Sequence, residues 1–382
     1  MTTVYFDNAA TTSIRPEVLD SMTEVMRKTH GNPSSTHAPG RKAKGLIENA
    51  RKTIAAMLNV TAGEIVFTSG GTEADNLILN SAVRDLGIKH IITSTIEHHA
   101  VIHTVEQLQK MFDIKVSHVD ILPDGNLDME HLGQLLENSE EKTLVSLMHI
   151  NNEIGNMLDL DAVCALCEKH DVLFHSDMVQ SVGHYEVDLK ETPVDFIAAS
   201  AHKFHGPKGI GFAYIKKNSG LRPLIFGGGQ ERGARAGTEP VHNIVGMEKA
   251  LKIAYENLDK ERAQIEKLKT YFMDRLKTEI PHATLNGTCG TKDKSTYTLL
   301  NVCLPVPPEK SLMLLFQMDL KGIACSKGSA CQSGSDQGSH VLNAFLGEED
   351  KNKPSVRFSF SHENTTEEVD YTIDVLKEFI EE

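Results

Sequence analysis

Apolar residues between positions 40 and 216 recur in two alternating patterns, one typical of helices and one typical of buried strands. The first pattern places Ala43, Ile47, Ala50 and Ile54 on one face of a helix. The second consists of short apolar runs rich in β-branched residues. The predicted helices are residues 40–57, 72–86, 100–112, 128–138 and 159–170, and the predicted strands are 64–70, 89–94, 114–120, 143–150, 172–177, 194–200 and 209–216. This alternation predicts an α/β fold with a mainly parallel sheet covered by helices.

The pattern changes at about residue 246. Residues 245–280 predict one long amphipathic helix with mixed charges. Two strands, 297–305 and 355–361, and a last helix, 367–382, follow, which predicts a smaller α+β domain. We therefore expect a large domain of residues 16–245 and a small domain of residues 246–382, with residues 1–15 joining them.

Composition excludes several classes of protein. The chain has 382 residues and a formal net charge of −14, which argues against a nucleic-acid-binding surface. No apolar run approaches the length of a membrane span, roughly 20 residues. The N-terminus lacks the features of a signal peptide, and six cysteines in so long a chain suggest a reducing compartment. We expect a cytoplasmic protein with no membrane and no nucleic-acid partner.

Polar residues follow five of the predicted strands. They are Thr68–Thr72, Glu97 and His98, Asn151 and Asn152, Asp177, and Ser200–Lys203. In parallel sheets, the carboxyl ends of the strands form the ligand-binding edge. The pattern therefore predicts one site at this edge, although loops of unrelated chemistry would produce a similar sequence.

Two glycine-rich stretches are candidates for binding an anion. Residues 69–73, "SGGTE", join a strand to a helix, whose N-terminal N–H groups and dipole favour a phosphate. Neither of the common nucleotide-binding glycine motifs occurs at a strand–helix junction. Residues 226–238, "FGGGQERGARAGT", are the second stretch, and a flexible surface loop explains them equally well.

Lys203 and Asp177 indicate the cofactor. Lys203 lies between His202 and His205, ahead of a Gly-Pro-Lys-Gly turn, and Asp177 ends an apolar strand. Pyridoxal 5'-phosphate needs a lysine, a buried aspartate, a turn that binds its phosphate and a side chain that lies flat on its ring. His98, at a strand end, could be that side chain. The alternatives are a helix N-cap for Asp177 and a phosphate-binding or solvated lysine for Lys203.

The cysteines and one arginine suggest further roles. Cys331 lies in a Gly/Ser/Ala-rich stretch, which suits an exposed nucleophile, and Cys325 begins that stretch. Cys164 and Cys167 form a CxxC inside a predicted helix without a second ligand pair, so helix packing is favoured over a metal site. Arg357 alternates with apolar residues in a strand, where it would clamp a substrate carboxylate or form a structural ion pair.

Ordered motifs along nearly the whole chain carry a family resemblance. They are "YFDNAATT", "GNPSSTH", "IVFTSGGTEADNL", "TIEHHAV", "MHINNEIG", "HSDMVQSVG", "SAHKFHGPKGIG", "GGGQERGARAGT", "GSACQSGS" and "VRFSFS". Together they resemble the cysteine desulfurases of the pyridoxal-phosphate-dependent class V aminotransferase family, in the NifS/IscS-like branch. The resemblance implies the PLP-dependent transferase fold type I, with a mainly parallel seven-stranded sheet in the large domain and a smaller α+β C-terminal domain.

The resemblance also implies residue roles and an activity. Lys203 would be the Schiff-base lysine, His98 would stack on the ring as a catalytic residue, and Cys331 would accept the sulfur. The other implied contacts are Asp177 with the pyridine nitrogen, Gln180 with the phenolic oxygen, Gly71, Thr72, Ser200 and His202 with the phosphate, Asn152 and Arg357 with the substrate carboxylate, and Thr238 with the phosphate of the other subunit of a homodimer. The activity is conversion of L-cysteine to L-alanine with a persulfide on Cys331, which supplies sulfur for iron–sulfur clusters or other thio-cofactors.

The chain departs from the family pattern at three points. Met178 stands where alanine is common, Cys325 stands where serine is usual, and the chain ends at Glu382, without the longer tail with which some members dock a scaffold protein. A sulfur-acceptor or scaffold protein is nevertheless an expected partner.

Other activities remain open at this point. A selenocysteine lyase or a class V transaminase would use the same Lys203 and Asp177 without needing Cys331. A metal or redox protein built on the CxxC belongs to a different class, and it predicts bound zinc or iron.

Overall fold

The computed structural model describes residues 3–328 and 338–381. Its strands are β1 Val4–Tyr5, β2 Ile65–Thr68, β3 His90–Ser94, β4 Lys115–Val119, β5 Thr143–Ser146, β6 Leu173–Asp177, β7 Phe196–Ser200, β8 Gly211–Ile215, β9 Thr284–Leu285, β10 Leu299–Cys303, β11 Ile323–Ala324 and β12 Ser355–Ser359. Its α-helices are α1 Pro16–Lys28, α2 Ala38–Met57, α3 Gly71–Leu86, α4 His99–Met111, α5 Met129–Glu137, α6 Leu160–Lys169, α7 Val241–Glu256, α8 Leu258–Glu279, α9 Ser311–Leu320, α10 His340–Phe345, α11 Glu348–Lys351 and α12 Thr366–Glu381.

The large sheet has seven strands in the order β2-β8-β7-β6-β5-β3-β4. Strand β8 runs antiparallel to both of its neighbours, whereas the other strands share one direction. Most of these strands are buried along their whole length, as expected for a sheet with both faces covered. The predicted mainly parallel seven-stranded sheet is confirmed.

Helices cover the two faces of this sheet with separate hydrophobic cores. Apolar residues of α3 and α4 pack on one face, for example Leu77 and Val101. Residues of α1, α2, α5, α6 and α7 pack on the other, for example Ile47, Val163 and Met247. Because helices close both faces, the carboxyl edge of the strands remains as the place where polar groups gather.

A second, smaller unit follows α7. Strands β12, β10 and β9 form an antiparallel sheet, and helices α8, α9 and α12 pack with it in a third core. The chain's beginning belongs to this unit, because β1 pairs with β11 and the ring of Phe6 packs edge-on against Phe272, Phe358 and Phe360. In the described part of the chain, no helix is long and apolar enough to cross a membrane.

The predicted single helix of residues 245–280 is wrong, because the structure has two helices with a break at Asn257. The backbone of Asn257 leaves the helical region, and its side-chain amide donates to the carbonyl oxygen of Ile253 at 3.0 Å. The backbone N–H of Asn257 donates to the same oxygen at 3.1 Å, so the last turn of α7 is complete and the chain turns after it, which apolar spacing does not reveal. Helix α7 packs with the large sheet and α8 with the small unit. The division at residues 245 and 246 stays a prediction, and the packing favours a boundary at Asn257.

A buried ion pair anchors the second glycine-rich stretch. Arg51 of α2 contacts both carboxylate oxygens of Glu231 at 2.7 Å, and the backbone N–H of Phe67 donates to the same carboxylate. Glu231 and Arg232 both have positive φ angles, 45° and 56°, a conformation that side chains disfavour. The ion pair therefore stabilises a strained turn, and residues 230–233 are not a loose surface loop.

We expect Glu231→Gln to lower the free energy of unfolding by about 3 kcal/mol, because the buried Arg51 then keeps only the carboxylate of Glu48, at 3.2 Å, as its counter-charge. Urea denaturation measures this loss. Glu24→Gln is the control, since it removes an exposed pair with Lys28 by the same substitution and should change stability little. Equal losses in the two variants would contradict the account.

Candidate active site

One cavity of about 250 Å³ lies at the carboxyl edge of the large sheet, against the small unit and the N-terminal segment. Most of the side chains predicted from the sequence line it, namely Gly71, Thr72, His98, Asn152, Asp177, Gln180, Ser200, His202, Lys203 and Arg357. They come from distant parts of the chain, and the strand ends bring them together. The predicted single site is therefore a physical cavity, although the role of each residue in it stays a prediction.

The phosphate end of the cavity is the N-terminus of α3. The N-cap residue is Gly70, so no side chain satisfies the first N–H groups of the helix. A Cβ atom on Gly71 would lie 2.5 Å from the Cγ2 atom of Val179, so only glycine fits. Close by, the buried Nδ1 atom of His202 has no hydrogen-bond partner among the described residues. The free N–H groups of the helix fit a phosphate group, and Nδ1 of His202 would donate to it in the tautomer that carries its proton there.

Asp177 ends β6 with only 5% of its surface exposed. Burial raises the pKa of Asp177, and the neighbouring His98 and Lys203 act in the opposite direction. One carboxylate oxygen accepts a hydrogen bond from the backbone N–H of Val179 at 2.9 Å. Turns and no helix follow Asp177, so the alternative of a helix N-cap is wrong. A buried carboxylate of this kind is stabilised by a cation in the cavity, and a protonated pyridine nitrogen meets that requirement.

Lys203 follows β7 in a short 3₁₀ turn. Its Nζ atom donates to the carbonyl oxygens of Ala9 and Ala10, at 2.6 and 3.0 Å. The side-chain amide of Gln180 donates to the same Ala9 oxygen at 3.0 Å. Sequence reasoning missed this contribution of the N-terminal segment, because backbone carbonyls have no side-chain pattern that identifies them.

His98 is the N-cap residue of α4, and its Nδ1 atom accepts a hydrogen bond from the backbone N–H of Ala100 at 3.2 Å. In the neutral ring, the proton therefore lies on Nε2. Burial lowers the pKa of His98, which favours this neutral form. A neutral, fixed imidazole at the cavity wall suits stacking on an aromatic cofactor.

Two of the predicted strand-end residues serve the local backbone instead of lining the cavity. The carboxylate of Glu97 accepts hydrogen bonds from Ser94 and from the backbone N–H of Met148. The side-chain oxygen of Asn151 accepts from the N–H groups of Glu153 and Ile154. They shape the loops that place His98 and Asn152.

Arg357 lies on β12 with 1% of its surface exposed. Its guanidinium donates to the carbonyl oxygens of Asn152 and Gly328, at 2.6 and 3.0 Å, and forms an ion pair with Asp7 at 2.7 Å. The sequence left open whether Arg357 forms a structural ion pair, and the structure shows one with Asp7. A substrate carboxylate at Arg357 stays a prediction.

The cysteines differ in setting. Cys331 lies outside the described residues. Cys325 directly follows β11 and is partly buried, and burial raises its pKa to about 12. Cys164 and Cys167 are buried in α6, where burial raises the pKa of both thiols. Both side chains belong to the hydrophobic core of the large sheet, as the helix-packing interpretation of the CxxC predicts. Within residues 3–328 and 338–381, no group of three or more histidine, cysteine and acidic side chains could hold a metal ion.

Two further residues lie away from the cavity. Thr238 is exposed and lines a separate hollow beside Ser69 and Arg235. Its predicted contact with the phosphate of a second subunit is not tested by a single chain. Met178 points into the hydrophobic core with 1% exposure, so the larger side chain at this position does not line the cavity.

Comparison with known proteins places this cavity in a family. A sequence model described as "Aminotransferase class-V" matches residues 4–372. The cysteine desulfurase IscS of Dictyoglomus turgidum is 39% identical over 380 residues, which cover 99% of this chain and 94% of that protein. The putative cysteine desulfurase IscS 1 of Bacillus subtilis is 40% identical over 374 residues, which cover 97% and 96%.

Solved structures agree with this placement. A NifS-like protein superposes with a TM-score of 0.90 at 35% identity, with 100% of both chains covered. A structure described as "SspA in complex with cysteine" has a TM-score of 0.80 at 31% identity and covers 95% of this chain and 100% of that one. These similarities confirm the predicted fold class. The chain therefore belongs to the class V aminotransferase family, in its branch of NifS- and IscS-like cysteine desulfurases.

Proposed function

We propose that this protein is a pyridoxal-phosphate-dependent cysteine desulfurase that converts L-cysteine to L-alanine and transfers the sulfur to Cys331. The observation that carries the proposal is the meeting of Lys203 and Asp177 in one cavity with the uncapped N-terminus of α3. Relatives named cysteine desulfurase and a neighbour in complex with cysteine support this substrate.

The residues of the cavity fit the cofactor. Gly71, Thr72, Ser200 and His202 would hold the phosphate, and Asp177 would pair with the pyridine nitrogen. Gln180 would contact the phenolic oxygen, and His98 would lie against the ring. When bound, pyridoxal phosphate supplies a carbonyl group that condenses with amines and a ring that accepts electrons.

Two groups of the chain prepare the substrate. Arg357 and Asn152 would orient the carboxylate of L-cysteine, because a planar guanidinium matches two carboxylate oxygens. Lys203 would then take the proton from Cα with its neutral amine. The carbonyl oxygens of Ala9 and Ala10 position Nζ for this task.

The sulfur leaves by nucleophilic attack. The thiolate of Cys331 would attack the substrate sulfur, so an S–S bond forms as the C–S bond breaks and the electron pair passes to the carbon side. Protonation of that side gives alanine. The persulfide on Cys331 would then transfer its outer sulfur atom to an acceptor.

The biological setting is part of the proposal. We infer a homodimer in which Thr238 reaches the partner's phosphate site. A sulfur-acceptor or scaffold protein would carry the sulfur towards iron–sulfur clusters or other thio-cofactors, in the cytoplasm. A selenocysteine lyase or a class V transaminase would use the same cavity, and assays with cysteine, selenocysteine and a keto acid distinguish the three.

The first prediction concerns Lys203→Ala. Because the substitution removes the base, we expect alanine formation from cysteine to fall by about 10³-fold or more while the fold persists. Amino-acid analysis of the product and circular dichroism measure the two effects. Lys208→Ala, which changes an exposed lysine five residues further along the chain, should keep its activity. Near-normal alanine formation without Lys203 would refute the assignment.

The second prediction concerns Arg357→Lys, which keeps the positive charge but loses the two parallel N–H donors of the guanidinium. We expect KM for cysteine to rise, with a loss in kcat/KM equivalent to about 1.5–3 kcal/mol. Arg262→Lys, at a partly exposed pair with Glu266, is the control. An unchanged KM would leave Arg357 with only its structural ion pair to Asp7.

The third prediction separates the two loop cysteines. Cys331→Ser should abolish persulfide formation, whereas Cys325→Ser should retain most of it, since at pH 8 a thiol of pKa about 12 is ionised in only roughly one molecule in ten thousand. Mass spectrometry of peptides after one turnover measures the persulfide. A disulfide between Cys325 and Cys331 as the main product would favour a sulfur relay instead, and sulfur on Cys164 or Cys167 would overturn the choice of nucleophile.

A further inference from the structure

The turn that carries Lys203 has few hydrogen bonds of its own. Residues 201–203 form a single 3₁₀ turn after β7. The backbone N–H groups of Phe204 and Gly206 donate to the carbonyl oxygen of Ala201, at 3.1 and 2.9 Å. Since buried backbone groups need partners, the remaining polar groups of this turn depend on bonds from other segments of the chain.

Thr12, in the N-terminal segment, bonds to the backbone on both sides of Lys203. Its hydroxyl group donates to the carbonyl oxygen of His202 at 3.0 Å and accepts from the backbone N–H of His205 at 2.8 Å. The backbone N–H of Thr12 donates to the same His202 oxygen at 2.9 Å. Thr12 is 4% exposed, and buried hydrogen bonds are costly to leave unmade. One side chain therefore fixes the peptide group before Lys203 and the N–H group two residues after it.

His205, at the end of the turn, has an unfavourable backbone conformation. Its φ angle is +62°, in the left-handed region that side chains disfavour. Besides the bond to Thr12, its ring donates from Nδ1 to the carbonyl oxygen of Ser13 at 3.0 Å, and its own carbonyl oxygen accepts from the backbone N–H of Arg15 at 3.2 Å. Such a conformation persists when the surrounding contacts stabilise it, and residues 12–15 supply these contacts.

The same N-terminal segment also contacts the amine. The carbonyl oxygens of Ala9 and Ala10 accept from Nζ of Lys203, and they lie within three residues of Thr12 in the chain. On the other side of the turn, Nε2 of His184 donates to the carbonyl oxygen of Lys203 at 2.9 Å. One stretch of chain, residues 9–15, therefore holds both the amine and the neighbouring backbone of Lys203.

We propose that Thr12 is a positioning residue for the Lys203 amine, an inference that rests on the proposed function. Thr12 acts through the backbone on either side of Lys203, so it fixes where Nζ lies relative to the cofactor carbonyl and to the Cα proton of the substrate. Loss of the hydroxyl group leaves the His205 N–H without its acceptor and allows the turn to move. A displacement of about 1 Å can cost on the order of 10²-fold in rate.

The test measures how fast the cofactor-free protein attaches pyridoxal phosphate to Lys203, at a saturating concentration of the cofactor. Samples are reduced with borohydride at timed intervals, and the phosphopyridoxyl group on the Lys203 peptide is quantified by mass spectrometry. We expect Thr12→Val to attach the cofactor about tenfold more slowly. Thr12→Ser keeps the hydroxyl group and should stay within about twofold of the wild-type rate.

Steady-state kinetics with L-cysteine give a second readout. Because Thr12 acts on the amine and not on the carboxylate site, Thr12→Val should lower kcat and kcat/KM by the same factor, about tenfold, and leave KM nearly unchanged. Thr11→Val is the matched control, since the buried Thr11 hydroxyl oxygen has no hydrogen-bond partner among the described residues. It should change neither the attachment rate nor kcat.

Folding of each variant is checked by circular dichroism. If Thr12→Val does not fold, Thr12→Ala and Thr12→Ser give the same comparison, because these two variants differ only in the hydroxyl group. Attachment at the wild-type rate in Thr12→Val would overturn the proposal. Equal losses in Thr12→Ser and Thr12→Val, or a raised KM with unchanged kcat, would do so as well. Absence of a phosphopyridoxyl group on Lys203 of the wild-type protein would instead overturn the proposed function.

Discussion

A carboxylate buried at the end of a central strand is the constraint on which the rest of the site depends. Asp177 lies deep at the carboxyl edge of the sheet, where an uncompensated charge is costly. The cavity around it supplies unsatisfied donors at the N-terminus of α3, the amine of Lys203 and a neutral His98. A cofactor with a cationic ring nitrogen and an anionic phosphate would bind to all of these groups at once.

The small unit completes the site by contact with the large sheet. Arg357 on β12 binds the backbone of the Asn152 loop and the side chain of Asp7, so three separated segments meet at one guanidinium. The N-terminal segment, paired with the small unit through β1, offers its carbonyl oxygens to Lys203. A carboxylate bound at Arg357 would therefore act on the same N-terminal segment that holds the amine of Lys203.

Periodicity and strand-end chemistry were sufficient to predict the large sheet and the cavity residues Asp177 and Lys203, because both follow from local sequence. The pairing of Arg357 with Asp7, the shared oxygen of Ala9 and the bonds of Thr12 to the turn of Lys203 depend on contacts between distant segments. No local pattern reports such contacts. The break at Asn257 was missed for a different reason, since the backbone leaves the helical region at one residue while the apolar spacing continues on both sides of it.

The central claim is that Lys203 forms the covalent attachment to pyridoxal phosphate. Borohydride reduction of the protein loaded with the cofactor, followed by digestion and mass spectrometry, tests it directly. The account predicts one phosphopyridoxyl group on the peptide that contains Lys203, with Lys203 itself as the modified residue in fragmentation spectra. Modification of Lys208 or another lysine in its place, or no modified peptide, would contradict it.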